Sequence, residues 1–239
     1  MEVLDGLPAD HPDAIRSRRD LRRVHRAMGT RGIVLRGLRA MTARHPKARP
    51  LRVLEIGAGD GSLMLGVAQA LAPRWSGVDL TLLDRQALID PRTIAHYSEV
   101  GWAVTQEVGD VLDWAADLGG DVVHAPWDLI VANLFLHHFE GAQLDLILRF
   151  VAHKSLGFFA CEPRRNWLAL AGSHLIGAIG VNHVTREDSV LSVHAGFNGH
   201  ELSALWPHQG KLWNVQEYSA GLFSHCLRAE RTGLTGLNG

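Results

Sequence analysis

Two adjacent histidines, His137 and His138, stand in the run Asn133-Leu134-Phe135-Leu136-His137-His138-Phe139. An imidazole titrates near neutrality, so either could take a proton from a phenol or an enol. Adjacent helical residues diverge by about 100°, so one ring of the pair is expected to face a substrate. Glu162 follows the apolar run 157–161 and could orient such a histidine or a substrate hydroxyl, although a helix-start charge or a surface ion pair is the commoner account of such a residue. His194 is a second acid–base candidate, in a polar stretch, 182–197, that otherwise reads as a solvated loop. The 14 histidines include no H-E-x-x-H spacing, and there is no paired-cysteine motif, so no metal is expected.

Three acids lie at the ends of apolar runs. Glu55 sits in Val53-Leu54-Glu55-Ile56-Gly57-Ala58-Gly59-Asp60-Gly61-Ser62, Asp84 follows 78–83, and Asp110 follows 104–108. Glycines at 57, 59 and 61 permit a tight turn and let a ligand approach the main chain. A helix starting at Ser62 would present free N–H groups, a place that suits a pyrophosphate. Here the spacing is G-x-G-x-G, however, and Ser62 takes the last position of G-x-G-x-x-G. The Glu55 carboxylate would repel pyrophosphate and suit an ammonium or a sulfonium. Asp84, 23 residues after Gly61, can accept hydrogen bonds from two vicinal ribose hydroxyls. Asp110 can accept from an exocyclic adenine amine while the Val111 N–H meets a ring nitrogen. A charged amino-acid end, a ribose, an adenine and no phosphate describe S-adenosylmethionine.

These residues need elements to hold them. Apolar positions between the arginines of 13–44 predict two helices, broken at 29–32, whose arginines form a solvated face. Strands are expected at 51–56, 78–83, 104–108, 127–132 and 157–161, with helices at 62–71, 91–100 and 143–152 between them. That alternation implies βαβ units and a mainly parallel sheet, whose ligands bind beyond the carboxyl ends of the strands. An apolar helix is expected at 166–181, either packing on the N-terminal helices or lining an apolar pocket. A short helix at 201–206 and an antiparallel pair at 213–218 and 222–229 complete the chain.

In order, Glu55-x-Gly57-x-Gly59-x-Gly61, Asp84, Gly109-Asp110 and the run 133–139 resemble the successive motifs of class I S-adenosylmethionine-dependent methyltransferases. The resemblance extends from about residue 50 to the closing strand pair. It implies an α/β fold: a Rossmann-like, seven-stranded, mostly parallel sheet with an antiparallel last strand. N-terminal helices and an insertion after strand 5 would form a lid. The implied parts are an N-terminal helical lid, 1–50, and a methyltransferase domain, 51–239, with 163–212 covering the substrate, all in one structural domain. Cofactor contacts would come from Glu55, Gly57, Ala58, Gly59 and Gly61, then from Asp84 and Arg85. Asp110 and Val111 would follow from the third strand, Asn133 and Leu134 from the fourth. Leu-His-His is common in these enzymes whatever the substrate, so a structural role competes with a catalytic one. Some related quinone methyltransferases hold a divalent ion with acids after the fourth strand; Leu134 and His137 stand there instead.

A narrower likeness is to bacterial small-molecule methyltransferases of the ubiquinone-biosynthesis-like group, some encoded beside type III polyketide synthases. That group often has Asn-Arg where this chain has His25-Arg26. Arg186-Glu187-Asp188-Ser189 and Ser192-Val193-His194 likewise stand where Arg-His-Asp-Gly and Ser-Val-Arg are common. The resemblance implies methylation of a phenolic or enolic oxygen on a small, largely apolar, polyketide- or quinone-like acceptor, with S-adenosylhomocysteine as product. The alternatives are C-methylation of a similar acceptor, a noncatalytic S-adenosylmethionine-binding protein, and a nicotinamide-dependent oxidoreductase, against which Ser62 and Glu55 speak.

The chain of 239 residues suits one α/β domain and buries enough surface to need no disulfide. A net charge of -1 provides no general attraction to nucleic acid or anionic membrane, and a small molecule is the expected partner. Cys161 and Cys226 lie in apolar runs and read as core residues. The polar, acidic start is no secretory signal, and the longest apolar stretch, 167–181, is short for a membrane span. A cytoplasmic location is expected, as a monomer or homodimer.

Overall fold

The computed structural model describes residues 6–8, 10–42, 49–75, 77–117, 126–167, 169–170, 183–207 and 212–232. Two helices come first: α1 (Pro12–Met28) and α2 (Thr30–Thr42). Pro12 opens α1, the His11 ring accepts from the Asp13 N–H at 3.2 Å, and left-handed Gly29 ends it. Then follow β1 (Leu51–Ile56), α3 (Ser62–Leu71), β2 (Val78–Asp84), α4 (Pro91–Glu99), β3 (Trp102–Val108) and α5 (Val111–Ala116). The second half contains β4 (Leu129–Asn133), a 3-10 turn (Leu136–His138), α6 (Gly141–Lys154), β5 (Gly157–Pro163), α7 (His183–Ala195), α8 (Glu201–Leu205), β6 (Trp213–Ala220) and β7 (Ser224–Arg231).

The seven strands form one sheet in the order β3-β2-β1-β4-β5-β7-β6. All pairs from β3 to β5 are parallel, and β7 runs antiparallel to both β5 and β6. This is the α/β, Rossmann-like arrangement that the motifs imply. The strand order reverses between β1 and β4, so a crevice opens above their carboxyl ends. Glu55 pairs with Leu82 on one side and Val131 on the other, one residue short of that crevice.

Side chains alternate across the sheet and build a core on each face. Leu54, Ile56, Ile130, Ala132, Phe158 and Leu227 pack with α5, α6 and Trp206. Val53, Leu80, Leu82, Val131 and Phe159 pack with α2, α3, Tyr97 and Trp102. Coverage on both faces explains why all residues of β4 and β5 are buried, and why those strands read as unbroken apolar runs. Cys161 and Cys226 are free thiols opposite each other in this core. No helix among the described residues is long and apolar enough to cross a membrane.

The structure departs from the sequence reading in several places, of which four bear on the site. Strand β3 starts two residues earlier than expected, at Trp102. Strand β4 runs Leu129–Asn133, while Trp127 makes an isolated bridge to Ser155. The short helix α5 was not expected; Asp110 caps it by accepting from the Leu112 N–H at 2.9 Å. The expected solvated loop at 182–197 is mostly helix α7, which buries Thr185 and Asp188. Val184 is buried beside them, but two of these three buried positions are polar, so no apolar period marks the helix. Most of the helix expected at 166–181 lies outside the described residues.

Candidate active site

Beyond β1 the chain turns through left-handed backbone at Gly57 (φ +70°) and Gly61 (φ +69°). At Gly57 a Cβ would also lie 2.1 Å from the Phe135 ring, so the turn and the segment after β4 meet at a residue with no side chain. The Gly57 and Ala58 N–H groups both donate to the Leu83 carbonyl. Gly59 donates to Asp84 Oδ2 at 2.9 Å, and Gln86 N–H donates to Oδ1 at 3.0 Å. The turn is therefore built against the end of β2 by Asp84 itself. Each Asp84 oxygen keeps a second lone pair for a ligand.

Asp60, just before the start of α3, accepts from the Ser62 N–H and hydroxyl, and takes a third bond from Arg22 of α1 at 2.6 Å. Burial pushes its carboxyl up, but the bonds from Ser62 and the Arg22 guanidinium outweigh that and hold it below the usual carboxylate range. Glu55 has no such help. Burial first, then Asp84 and Asp60, raise its carboxyl to about 8. Its Oε2 has no partner among the described residues. The carboxyl is therefore mostly protonated at neutral pH and would ionise only beside a cation.

At the end of β4, Asn133 is buried with its Oδ1 unpartnered among the described residues. Leu134 follows with φ +51°, a left-handed conformation uncommon for a branched side chain. This reversal turns the next three backbone N–H groups toward one carboxylate. Glu162, at 0% exposure, accepts from Phe135 (3.2 Å to each oxygen), Leu136 (3.0 Å) and His137 (3.4 Å). It also lies 2.8 Å from His137 Nδ1. An ionised carboxylate only accepts, so this contact puts the His137 proton on Nδ1 and its lone pair on Nε2. The His137 and His138 ring centroids are 4.3 Å apart.

A cavity of about 500 Å³ opens above these strand ends. Glu55, Gly57, Ala58, Gly59, Asp84 and Arg85 line it, as do Asn133, Leu134, His137 and His138. Both histidine rings reach it where one was expected, because a single 3-10 turn bearing two rings in contact does not separate them. Gly61 shapes the turn from below, its carbonyl accepting from Tyr97 Oη at 2.7 Å. Asp110 and Val111 do not line the cavity: Asp110 is the cap of α5 and Val111 is core. Glu162 does not line it either, being wholly buried behind His137. His194 is exposed on α7, whose cavity face is formed by Ser189, Ser192 and Val193 instead.

The resemblance implies an N-terminal helical lid but names none of the residues that line the cavity from it. Arg18, Leu21, Arg22, Val24, His25 and Met28 of α1 line the cavity. Their helical spacing was visible, but it read as an apolar face between solvated arginines. Helices α1 and α7 meet through a buried contact of 2.8 Å between the Ser17 and Thr185 hydroxyls. Among the described residues no group of three or more His, Cys, Asp or Glu side chains could hold a metal.

No protein-family model matches the chain, and no curated protein matches it. Solved structures do. The chain is similar to an O-methyltransferase family protein from Burkholderia thailandensis, with a TM-score of 0.61 at 16% identity, over 94% of this chain and 61% of that one. It thus spans less than two thirds of that protein's length. The plantazolicin methyltransferase BamL, in complex with a desmethylPZN analog and S-adenosylhomocysteine, matches with a TM-score of 0.66 at 15% identity, over 93% of this chain and 92% of that one. Magnesium protoporphyrin IX methyltransferase from Synechocystis PCC 6803, with bound S-adenosylhomocysteine, matches with a TM-score of 0.50 at 15% identity, over 90% and 86% of the two chains. At these identities the likeness is one of fold, and the chain has the Rossmann-like fold of these methyltransferases.

Proposed function

We propose that the protein transfers a methyl group from S-adenosylmethionine to a phenolic or enolic oxygen of a small, largely apolar acceptor. The observation that carries this reading is the buried, unpartnered Glu55 oxygen beside the glycine turn, at the strand crevice where this fold takes its ligands. An ammonium there would draw the Glu55 carboxyl into its charged form and meet its counter-charge. The residues present fit the cofactor: Glu55 for the amino group, the second lone pairs of Asp84 for the ribose hydroxyls, and the orphaned Asn133 Oδ1 as a further acceptor.

S-adenosylmethionine supplies a methyl that its sulfonium already activates. The chain's own task is then to place the acceptor oxygen and remove its proton. His137 is the candidate base. Glu162 holds the proton on Nδ1, so Nε2 receives the proton from the acceptor hydroxyl, and the imidazolium formed is stabilised by the carboxylate behind it. His138 lies against it and bounds the same space. Helices α1 and α7 act as the lid that excludes water, joined to each other through Ser17 and Thr185 and to the glycine turn through Arg22 and Asp60.

Calorimetry with S-adenosylhomocysteine tests the reading. Wild type should bind, and Asp84→Ala should lose roughly 1.5–3 kcal/mol of affinity, because the carboxylate orders the turn as well as meeting the ribose. A wild-type protein that does not bind the ligand would overturn the assignment.

A further inference from the structure

The cavity has two chemically distinct halves. Acids crowd the side above β1 and β2, where Glu55, Asp60 and Asp84 stand. The side under the lid is mostly apolar: Leu21, Val24, Met28, Pro163, Val193 and Phe223. Few polar groups reach that side, and most are already engaged. Ser189 donates its hydroxyl proton to the Thr185 carbonyl at 2.6 Å, and Ser192 to the Asp188 carbonyl at 2.8 Å. Arg22 is drawn to Asp60, and His137 to Glu162.

His25 differs from these. It projects from α1 into the cavity, and among the described residues its imidazole makes no hydrogen bond. Burial lowers its pKa to about 4 despite the attraction of Asp60, so the ring is neutral at physiological pH. A neutral imidazole offers one donor and one acceptor and adds no positive charge near a sulfonium. Half-buried on the cavity wall, the ring keeps both nitrogens available to an incoming molecule.

Resting on the reading above, we propose that His25 is the group by which the lid recognises the acceptor: it hydrogen-bonds an oxygen function separate from the one that is methylated. The acceptor class is thereby narrowed to apolar ring compounds with two separated oxygen functions. One meets His137 at the strand ends, and the other meets His25 on the opposite wall. The ring stays neutral throughout and takes no part in proton removal, so it sets specificity rather than rate.

Equilibrium binding of two probes to protein loaded with S-adenosylhomocysteine tests this without requiring turnover. Naphthoresorcinol carries two hydroxyls, and α-naphthol lacks the second. Wild type should prefer the diol by about tenfold, the value of one hydrogen bond in a buried site. His25→Phe should bring the two affinities together, while His25→Asn, which keeps a donor and an acceptor, should retain most of the preference. His25→Leu serves should the phenyl ring disturb α1. Equal affinities in wild type, or a preference that survives His25→Phe or His25→Leu, would overturn the inference. A wild-type protein that fails to bind S-adenosylhomocysteine brings down the proposed function and this inference together. Binding of the nucleoside with a diol preference indifferent to residue 25 brings down this inference alone.

Discussion

Burial, with Asp84 and Asp60 nearby, lifts the Glu55 carboxyl from 4.5 to about 8, so the group is protonated at neutral pH when no cation faces it. A folded-state value raised above the unfolded one stabilises the fold fully at low pH, and the contribution is lost as pH rises through the folded value. Thermal melts should therefore show stability falling from about pH 4.5 toward about pH 8, and Glu55→Gln should flatten that part of the profile. Binding an ammonium reverses the preference and expels the proton. Calorimetry of S-adenosylmethionine in two buffers of different ionisation enthalpy should then show close to one proton released per ligand at neutral pH; identical heats would contradict it. Glu162 accepts from three backbone N–H groups and contacts a histidine. Glu162→Gln sets an amide against those donors and removes the charge behind His137. Turnover should fall on the order of 100-fold while S-adenosylhomocysteine still binds. A variant that only melts lower, with unchanged turnover when folded, would make Glu162 a structural residue.

At the scale of elements, α1 matters most. Arg22 is half exposed in its pair with Asp60, so the contact contributes only about 0–1 kcal/mol to stability. Its consequence is placement: it ties α1 to the glycine turn. Arg22→Ala should lower the melting temperature by no more than about 2–4 °C, yet amide exchange along α1 should quicken measurably. Exchange unchanged from wild type would mean that the Ser17–Thr185 contact and the apolar face hold the helix alone. The elements differ in how plainly the sequence announced them. Strand β1 and helix α3 fall on the expected residues because an unbroken apolar run and a glycine turn mark their ends. Helix α7 was hidden because Val184 is its one buried apolar residue among the described residues, and Thr185 and Asp188 supply the rest of its buried face. Helix α5 was hidden because six residues are too few for a visible period.

Across the whole molecule, the cavity takes walls from the ends of β1, β2 and β4, from α1, and from α7. A ligand filling the cavity would contact both the sheet and the helices α1 and α7, so it should stabilise them as one unit. S-adenosylhomocysteine at about 100 times its dissociation constant should add about 2.7 kcal/mol to the unfolding free energy. The measurement is a thermal shift, paired with limited proteolysis of α1. Melting that rises without any protection of α1 would mean that the lid does not respond to the cofactor half of the site.

The glycines, the three acids and the alternation of strands with helices are local features, set by backbone sterics and side-chain period, and the sequence alone carries them through to a parallel sheet with Glu55 at its crevice. What turns Glu162 toward His137 is not local. It needs Leu134 in a left-handed conformation, and β5 beside β4 so that one carboxylate meets three successive amides. Nor does any spacing bring His25 over the strand ends or turn His194 away from them. Those positions follow from how α1 and α7 pack across the sheet, where contacts between residues far apart in the chain decide which side chains share a cavity.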